Sequence, residues 1–239
     1  MPRLVLLRHG ESAWNLQGRF TGWVDVDLTP EGEAQARRAG ALMVAEGLMF
    51  DRAFASVLRR AIRTACLALD AADQLWIPLS KDWRLNERHY GALTGLNKQE
   101  TADEHGADQV MIWRRSYDVA PPPLAPGGPY DFAADRRYAG QTPPTTESLK
   151  TTLERVVPFW NAALAPALAN GDTVLVTAHG NSIRAIVKHL FGLNEAEIVK
   201  LEIPTGNPMV VSLTAALSVE QARYLDANRA EALPEKVGL

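Results

Sequence analysis

The segment Leu4-Val5-Leu6-Leu7-Arg8-His9-Gly10-Glu11 contains the pattern that decides the fold. Its first four residues are all apolar, which is typical of a central strand buried on both faces of a parallel sheet. A histidine and a glycine follow that strand directly. The same arrangement recurs at Thr173–Ala178, a second fully buried strand that runs into His179 and Gly180. The sequence therefore predicts two parallel strands that end in the same way.

Helical patterns alternate with these strands. Thr29 is expected to cap a helix whose first position is Pro30, because proline lacks the backbone donor that would be unpaired there. This helix extends to Gly47, and its predicted apolar stripe consists of Ala34, Ala41, Leu42 and Ala45. A strand at residues 52–56 leads into a helix that begins near Arg59. Further helices are predicted at 146–168, interrupted near Pro158, and at 182–191. This order predicts an α/β fold, a three-layer α/β/α sandwich with a mostly parallel central sheet.

The composition indicates a globular protein of ordinary type. The chain has 239 residues, of which 46% are hydrophobic and 22% charged, with a net charge of −3. We expect a single domain over residues 1–239, with a proline-rich excursion at 121–144 and a short C-terminal tail from 229. No overall basic field favours nucleic acid or a membrane surface, and no segment has the length of a membrane span. A cytoplasmic protein is predicted, in which the lone Cys66 is a buried structural thiol.

The two histidines are the strongest functional signal. Ligands of open parallel sheets bind at the carboxyl ends of the strands, so neighbouring strands would bring His9 and His179 face to face. A metal site that also uses Glu11 is an alternative, but Arg8, Arg59 and Arg60 suit an anion better than a divalent cation. The chain also lacks the common metal-protease, nucleotide-binding and serine-hydrolase motifs. What remains is histidine chemistry on an anion.

Two arginine pairs lead to different interpretations. Arg37 and Arg38 fit an exposed helix face and need no function. Arg114 and Arg115 follow an apolar segment, and adjacent arginines repel each other unless they share an anion or an acidic partner. We interpret the second pair as part of an anion site.

The ordered set of motifs resembles the cofactor-dependent phosphoglycerate mutases of the histidine phosphatase superfamily over nearly the whole chain. Residues 8–11 with His179 and Gly180 mark the superfamily, which includes many phosphatases. The finer resemblance to the mutase branch lies in Asn15, Phe20-Thr21-Gly22-Trp23, Ser56-Val57-Leu58-Arg59-Arg60, Asn86-Glu87-Arg88-His89-Tyr90-Gly91, Gly95-Leu96-Asn97-Lys98, Trp113-Arg114-Arg115 and Ile203-Pro204-Thr205-Gly206.

This resemblance implies a role for each matched residue. His9 would be the nucleophile that becomes phosphohistidine, with Arg8, Arg60 and His179 binding the phosphoryl group in transit. Glu87 would be the general acid and base. The implied substrate-binding residues are Asn15, Thr21, Gly22, Tyr90, Lys98, Arg114, Arg115, Gly180 and Asn181.

The implied reaction interconverts 3-phosphoglycerate and 2-phosphoglycerate, with 2,3-bisphosphoglycerate priming His9 and no metal required. The resemblance also implies a homodimer or homotetramer, and a C-terminal tail that helps to close the site through Leu233, Val237 and Leu239. Three alternatives stay open: a phosphatase on the same scaffold, a bisphosphoglycerate synthase and a non-catalytic anion-binding module.

Overall fold

A single six-stranded sheet organises residues 1–233, the part of the chain that the computed structural model describes. Its strands are β1 (Arg3–Arg8), β2 (Arg52–Ala55), β3 (Leu79–Lys81), β4 (Thr173–Ala178), β5 (Met209–Leu213) and β6 (Val219–Tyr224). The spatial order is β3-β2-β4-β1-β5-β6. The first four strands are mutually parallel, whereas β5 pairs antiparallel with β1 and β6 pairs antiparallel with β5. The prediction of a mostly parallel sheet is confirmed.

Helices lie between most of these strands. Their bounds are α1 (Ala13–Leu16), α2 (Pro30–Ala45), α3 (Arg59–Ala71), α4 (Lys98–His105), α5 (Ala107–Arg115), α6 (Leu149–Phe159), α7 (Ala165–Ala169), α8 (Gly180–Phe191) and α9 (Glu195–Lys200). A π-helical turn, Trp160–Leu164, joins α6 to α7.

Two hydrophobic clusters cover the two faces of the sheet. Val5 and Leu7 of β1 belong to a cluster with α2 and α3. Leu4 and Leu6, which point to the opposite face, belong to a cluster with α6 and α8. Because side chains alternate along a strand, a strand covered on both faces must be apolar at every position. The predicted three-layer sandwich is therefore confirmed.

Some local predictions were wrong. The helix predicted at 146–168 begins at Leu149, because the Ser148 side chain accepts a hydrogen bond from the backbone N–H of Thr151 and caps α6. The interruption or bend predicted near Pro158 is confirmed, since Pro158 lies in the last turn of α6 and the π-helical turn Trp160–Leu164 follows it. Cys66 is only partly buried rather than enclosed.

The cap of α2 was predicted correctly and its buried face was not. Thr29 Oγ1 accepts a hydrogen bond from Gly32 N at 3.0 Å, and Pro30 occupies the first turn. The predicted stripe is wrong, because Ala34, Ala41 and Ala45 are exposed and Leu42 is only half-buried. The buried positions are Gly32, Gln35, Ala36, Ala39, Gly40 and Met43. Their spacing follows the helical period, but alanines on both faces concealed it.

A close backbone contact joins α2 to the loop that carries His9. A β-carbon placed on Gly10 would lie 2.1 Å from the carbonyl oxygen of Gly32, and one on Gly32 would lie 2.0 Å from the carbonyl oxygen of Glu11. Both distances are too short for any side chain. These glycines thus allow two backbones to pack.

We therefore expect Gly32→Ala to lower the free energy of unfolding by about 1–3 kcal/mol, the usual cost of overpacking. Phosphoryl transfer should fall as well, because the displaced loop carries His9. Urea unfolding and activity measurements check both effects. Gly128→Ala is the control, since its β-carbon would meet only the Ala125 carbonyl oxygen, at 3.3 Å. Equal stability of the two variants would contradict the packing argument.

No helix within residues 1–233 is long and apolar enough to cross a membrane. Leu233 packs against the cluster that contains α6 and α8. Val237 and Leu239, the other two residues of the predicted tail contact, lie outside the described residues.

Candidate active site

The carboxyl ends of β1 and β4 bring two histidines together. The strands are parallel neighbours with Arg8 opposite Ala178, and His9 N donates to the Ala178 carbonyl oxygen at 3.0 Å. The imidazole ring centroids of His9 and His179 are 4.9 Å apart. Both side chains are buried. The pair thus has the relative placement that the two strand ends predicted.

The hydrogen bonds of His9 define its tautomer. Nδ1 lies 2.7 Å from the Gly10 carbonyl oxygen. Because a carbonyl oxygen can only accept, Nδ1 carries the proton in the neutral ring and Nε2 carries the lone pair. Arg60 Nε donates a hydrogen bond to that Nε2 atom at 3.3 Å. The unprotonated nitrogen of His9 therefore faces a cation.

Two arginines flank this nitrogen, and backbone carbonyls orient both of them. Arg60, in the first turn of α3, donates through Nη1 to Val24 and through Nη2 to Gly22, each at 2.8 Å. Arg8 donates through Nη1 to the Ile203 carbonyl oxygen at 2.7 Å, while its Nε has no partner among the described residues. The two guanidinium groups are thus fixed beside the position that a phosphoryl group on His9 would take.

Burial and positive charge keep the two histidines neutral. Burial is the largest cause that holds the pKa of His9 well below its ordinary value of 6.5, and the charges of Arg60 and Arg8 lower it further. The pKa of His179 is also lowered, first by burial and then by Arg60. A neutral imidazole is the nucleophilic form, so His9 is poised for attack at neutral pH.

We expect this effect to appear in the pH dependence of stability. Below pH 6.5, the ordinary histidine value, the unfolded chain gains protons that folded His9 and His179 do not bind. Above pH 6.5 the two histidines are neutral in both the folded and the unfolded chain, so they do not change the free energy of unfolding. As the pH falls below 6.5, each histidine lowers the free energy of unfolding by about 1.4 kcal/mol per pH unit, until the pH reaches its lowered pKa in the folded protein. Urea unfolding at successive pH values, with NMR of the assigned rings, checks this. Rings that titrate near 6.5 would contradict it.

His179 has one engaged nitrogen and one free nitrogen. Its Nε2 is 2.7 Å from the hydroxyl oxygen of Ser56, at the end of β2. Its Nδ1 is buried and has no hydrogen-bond partner within residues 1–233. An unpaired buried polar atom is costly, and a bound anion would satisfy it. The contact with Ser56 was not predicted, although Ser56 begins one of the motifs that carry the resemblance.

Glu87 presents one anchored and one free carboxyl oxygen. Oε1 accepts hydrogen bonds from the backbone N–H of Arg88 at 2.8 Å and of Asn181, in the first turn of α8, at 3.1 Å. Within the described part of the chain, Oε2 accepts no hydrogen bond. Glu87 lines both cavities described below. This geometry holds the carboxyl group in place and leaves Oε2 available to exchange a proton.

Two adjoining cavities, of about 190 and 70 Å³, meet at Arg8, Glu87, Tyr90 and Lys98. The smaller one is lined in addition by His9, Asn15, Arg19, Phe20, Thr21, Gly22 and Arg60. The larger one is lined in addition by Arg114, Arg115, Gly180, Asn181, Arg184, Glu202 and Ile203. Except for His179, which lies behind His9, every residue predicted for the site lines one of these cavities.

The cavities are strongly cationic. Seven cationic side chains line them against two carboxylates, Glu87 and Glu202. The seven are Arg8, Arg19, Arg60, Lys98, Arg114, Arg115 and Arg184. Arg115 forms an ion pair with Glu202, which is the acidic partner that the adjacent arginines required. Burial lowers the pKa of Lys98. This composition suits a small ligand with several negative charges.

Sequence reasoning missed Arg184 and Arg19. Arg184 is buried in α8, where its Nη1 donates to the Asn181 side chain at 3.0 Å, and burial lowers its pKa to about 10. An arginine inside the apolar run Ile183-Arg184-Ala185-Ile186-Val187 was the available signal. Arg19 donates to the Gly95 carbonyl oxygen at 3.0 Å, and its position directly before Phe20 was its only signal.

Within residues 1–233, no group of three or more His, Cys, Asp or Glu side chains has an arrangement that could hold a metal ion. Glu11, which the rejected metal alternative used, instead accepts a hydrogen bond from the Thr29 hydroxyl at 2.8 Å.

A layered α/β fold with paired histidines and arginines at the strand ends defines a histidine-based phosphoryl-transfer protein. Residues 4–137 and 128–219 match the sequence profile of the histidine phosphatase superfamily (branch 1), and the chain belongs to that superfamily. It is 68% identical over 234 residues to the 2,3-bisphosphoglycerate-dependent phosphoglycerate mutase of Caulobacter sp. (strain K31), covering 98% of this chain and 99% of that protein. The protein of the same name from Maricaulis maris is 53% identical over 242 residues, covering 100% of both chains.

Solved structures share the fold at lower sequence identity. A mycobacterial glucosyl-3-phosphoglycerate phosphatase in complex with VO3 superposes with a TM-score of 0.68 at 26% identity, over 93% of this chain and 96% of that one. The structure described as mycobacterial hydrolase 1 gives a TM-score of 0.71 at 24% identity, over 96% and 99% of the two chains. The second of these likenesses concerns the fold alone.

Proposed function

We propose that the protein interconverts 3-phosphoglycerate and 2-phosphoglycerate through a phosphohistidine at His9, primed by 2,3-bisphosphoglycerate. The observation that carries this proposal is the placement of the His9 Nε2 lone pair beside Arg60, with the free Oε2 of Glu87 in the same cavity. A nucleophile and a proton carrier are thereby present at one site. The mutase relatives share 53–68% of the sequence over nearly their full length, which supports the same reaction.

The residues of the site fit a bisphosphorylated carboxylic acid. Such a ligand carries up to five negative charges, and seven cationic side chains line the cavities. Among the residues that line the cavities, the buried Nε atoms of Arg8 and Arg184 and the hydroxyl of Thr21 have no partners within the described part of the chain. Each could donate to a phosphate or carboxylate oxygen. When bound, 2,3-bisphosphoglycerate supplies the phosphoryl group that primes His9.

The first half-reaction transfers a phosphoryl group to the enzyme. His9 Nε2 attacks phosphorus, so that an N–P bond forms as the bond from phosphorus to the leaving oxygen breaks. Glu87, in its protonated form, gives its proton to that oxygen. Arg8, Arg60 and His179 meet the negative charge on the three equatorial oxygens, where fixed donors contribute most.

The second half-reaction runs in reverse on the free 2-hydroxyl of a bound 3-phosphoglycerate. Glu87, now a carboxylate, removes the proton from this hydroxyl as the new O–P bond forms and the N–P bond breaks, which yields 2,3-bisphosphoglycerate. In the larger cavity Tyr90, Lys98, Arg114, Arg115, Gly180 and Asn181 would hold the carboxylate and the second phosphate, while Asn15, Thr21 and Gly22 line the smaller one. The bisphosphoglycerate must re-orient so that its 3-phosphate meets His9, and a repeat of the first half-reaction then releases 2-phosphoglycerate and leaves His9 phosphorylated.

The same proposal includes four further predictions made from the sequence. The chemistry assigns every charge-stabilising role to arginine, lysine and histidine, so activity should survive exhaustive treatment with a chelator. A glycolytic reaction is consistent with a cytoplasmic enzyme. The homodimer or homotetramer, and the closing role of the C-terminal tail, stay predictions.

The partition of products tests the proposal against a phosphatase on the same scaffold. Enzyme primed with 2,3-bisphosphoglycerate and incubated with 3-phosphoglycerate should produce 2-phosphoglycerate with little inorganic phosphate. Phosphorus NMR measures both products. Steady release of inorganic phosphate without 2-phosphoglycerate would identify a phosphatase. Absence of both products would identify a non-catalytic anion-binding module.

A further inference from the structure

A buried ion pair lies behind the loop that carries Glu87. Arg155 of α6 donates to Glu147 through Nε to Oε1 at 2.6 Å and through Nη2 to Oε2 at 2.9 Å. The Arg155 side chain is 8% exposed and that of Glu147 is 3% exposed. Neither residue lines the cavities of the candidate active site. The pair therefore acts, if at all, through other residues.

The remaining donors of Arg155 all bind the Glu87 loop. Its Nη1 donates to the Arg84 carbonyl oxygen at 2.6 Å. Its Nη2 donates to the carbonyl oxygens of Asn86 at 3.0 Å and of Glu87 itself at 2.9 Å. One guanidinium group thus fixes the direction of three carbonyls over four residues.

Glu147 holds the other end of the same loop. Its Oε2 accepts a hydrogen bond from His89 N at 2.8 Å, and its backbone N–H donates to the His89 carbonyl oxygen at 2.9 Å. The main chain on both sides of Glu87 is therefore tied to a single ion pair.

A tryptophan completes the support. Trp23 Nε1 donates to the Glu87 carbonyl oxygen at 2.6 Å. Its ring lies 5.6 Å from the Arg155 guanidinium carbon and 4.7 Å from the ring of Tyr138, a residue of the proline-rich excursion. The carbonyl of Glu87 accepts two hydrogen bonds from fully or nearly fully buried donors.

An ion pair buried to this degree is a poor source of net stability, because desolvation offsets most of its attraction. What it does provide is a single, directional geometry. We propose that Arg155, held by Glu147, is a positioning residue that fixes Glu87 for proton transfer. The inference rests on the acid and base role of Glu87 in the proposed function. Loss of the pair releases the loop, and a displacement on the order of 1 Å can cost about 100-fold in rate.

Two aryl phosphates of similar shape separate positioning from folding. 4-Nitrophenolate leaves phosphorus readily without a proton, whereas the much more basic phenolate of phenyl phosphate depends on a general acid. In both cases His9 forms the N–P bond as the aryl O–P bond breaks, and water later releases phosphate from His9. The burst phase of phenol or nitrophenol release measures the first step. The ratio of the two rates is independent of the folded fraction, since each preparation is used with both probes.

We expect Arg155→Met to lower the burst rate with phenyl phosphate about 10-fold more than the rate with 4-nitrophenyl phosphate, because a displaced general acid loses part of its usual contribution of about 10² to 10⁴-fold. Glu147→Leu combined with Arg155→Met should melt higher than Arg155→Met alone, because the unpaired charge is gone, yet keep the altered ratio. Glu87→Gln is the reference and should change the ratio at least as much. Arg223→Gln, which breaks the exposed ion pair with Glu46, is the matched control and should leave the ratio unchanged.

The outcomes distinguish the positioning role of Arg155 from the acid role of Glu87. If Glu87→Gln alters the ratio and the Arg155 variants lower both rates equally, Arg155 is merely structural and the inference is overturned. If Glu87→Gln also lowers both rates equally, the acid role in the proposed function fails and the inference fails with it.

Discussion

Substitution of His9 by alanine is expected to abolish mutase activity and the labelling of the enzyme by 2,3-bisphosphoglycerate. The His9 Nε2 lone pair is the nucleophile that the geometry places beside Arg60, and alanine offers no atom to receive phosphorus. Loss of a covalent nucleophile removes the whole two-step route, so we expect a decrease on the order of 10⁴-fold or more. Mass spectrometry measures the labelling directly, as phosphate on the protein that is labile in acid and stable in base.

A matched histidine variant controls for handling and folding. His105 is exposed at the end of α4, so His105→Ala should keep both label and activity. Labelling that persists in His9→Ala would place the phosphoryl group on another residue and would remove the central nucleophile of the mechanism.

The second large effect is expected for Glu87→Gln, which should lower the mutase rate by about 10² to 10⁴-fold, the usual contribution of general acid and base catalysis. Glutamine keeps the shape and can still accept the hydrogen bonds from Arg88 N and Asn181 N. It cannot release a proton to the leaving oxygen or take one from the attacking hydroxyl. The loss should therefore fall on kcat more than on KM.

Stopped-flow and steady-state mutase assays check this expectation. Glu100→Gln, an exposed carboxylate of α4, is the control and should be indistinguishable from the unsubstituted enzyme. A Glu87→Gln enzyme with nearly full kcat would show that another group moves the proton.

The central part of the fold and site could be predicted because its signals are local in sequence. Two strands with continuous apolar runs, Leu4–Leu7 and Val174–Val176, had to lie inside a parallel sheet, and each strand is followed by a histidine. Once they are neighbours, His9 and His179 must meet. The three-layer arrangement followed from the alternation of strands and helices.

Other features depend on contacts between distant segments. Strands β5 and β6, at 209–224, were not predicted, although they complete the sheet beside β1. β6 is an edge strand in which only Ala222 and Tyr224 are buried, so its apolar pattern is weak. β5 is almost fully buried between β1 and β6, and its apolar run was overlooked. The stripe of α2 was misplaced because alanine does not report which face of a helix is buried.

The support of Glu87 was beyond sequence reasoning for the same reason. Trp23 is far in sequence from Glu147 and Arg155, which lie eight residues apart just before and within α6, and a buried ion pair leaves no periodic pattern. In the sequence, nothing distinguishes Arg155 from the other cationic residues of helices. In the structure, its guanidinium group donates to the carbonyl oxygens of Arg84, Asn86 and Glu87. The proline-rich excursion likewise had no predictable contact, yet it places Tyr138 against Trp23.

The most direct test of the account is a single-turnover chase of the phosphorylated enzyme. Enzyme labelled at His9 from radioactive 2,3-bisphosphoglycerate is freed of ligand and mixed with unlabelled 3-phosphoglycerate. The account predicts that the label leaves the protein for 2,3-bisphosphoglycerate and 2-phosphoglycerate, faster than it is lost to water alone. Label that appears only as inorganic phosphate, at a rate that 3-phosphoglycerate does not change, would contradict it.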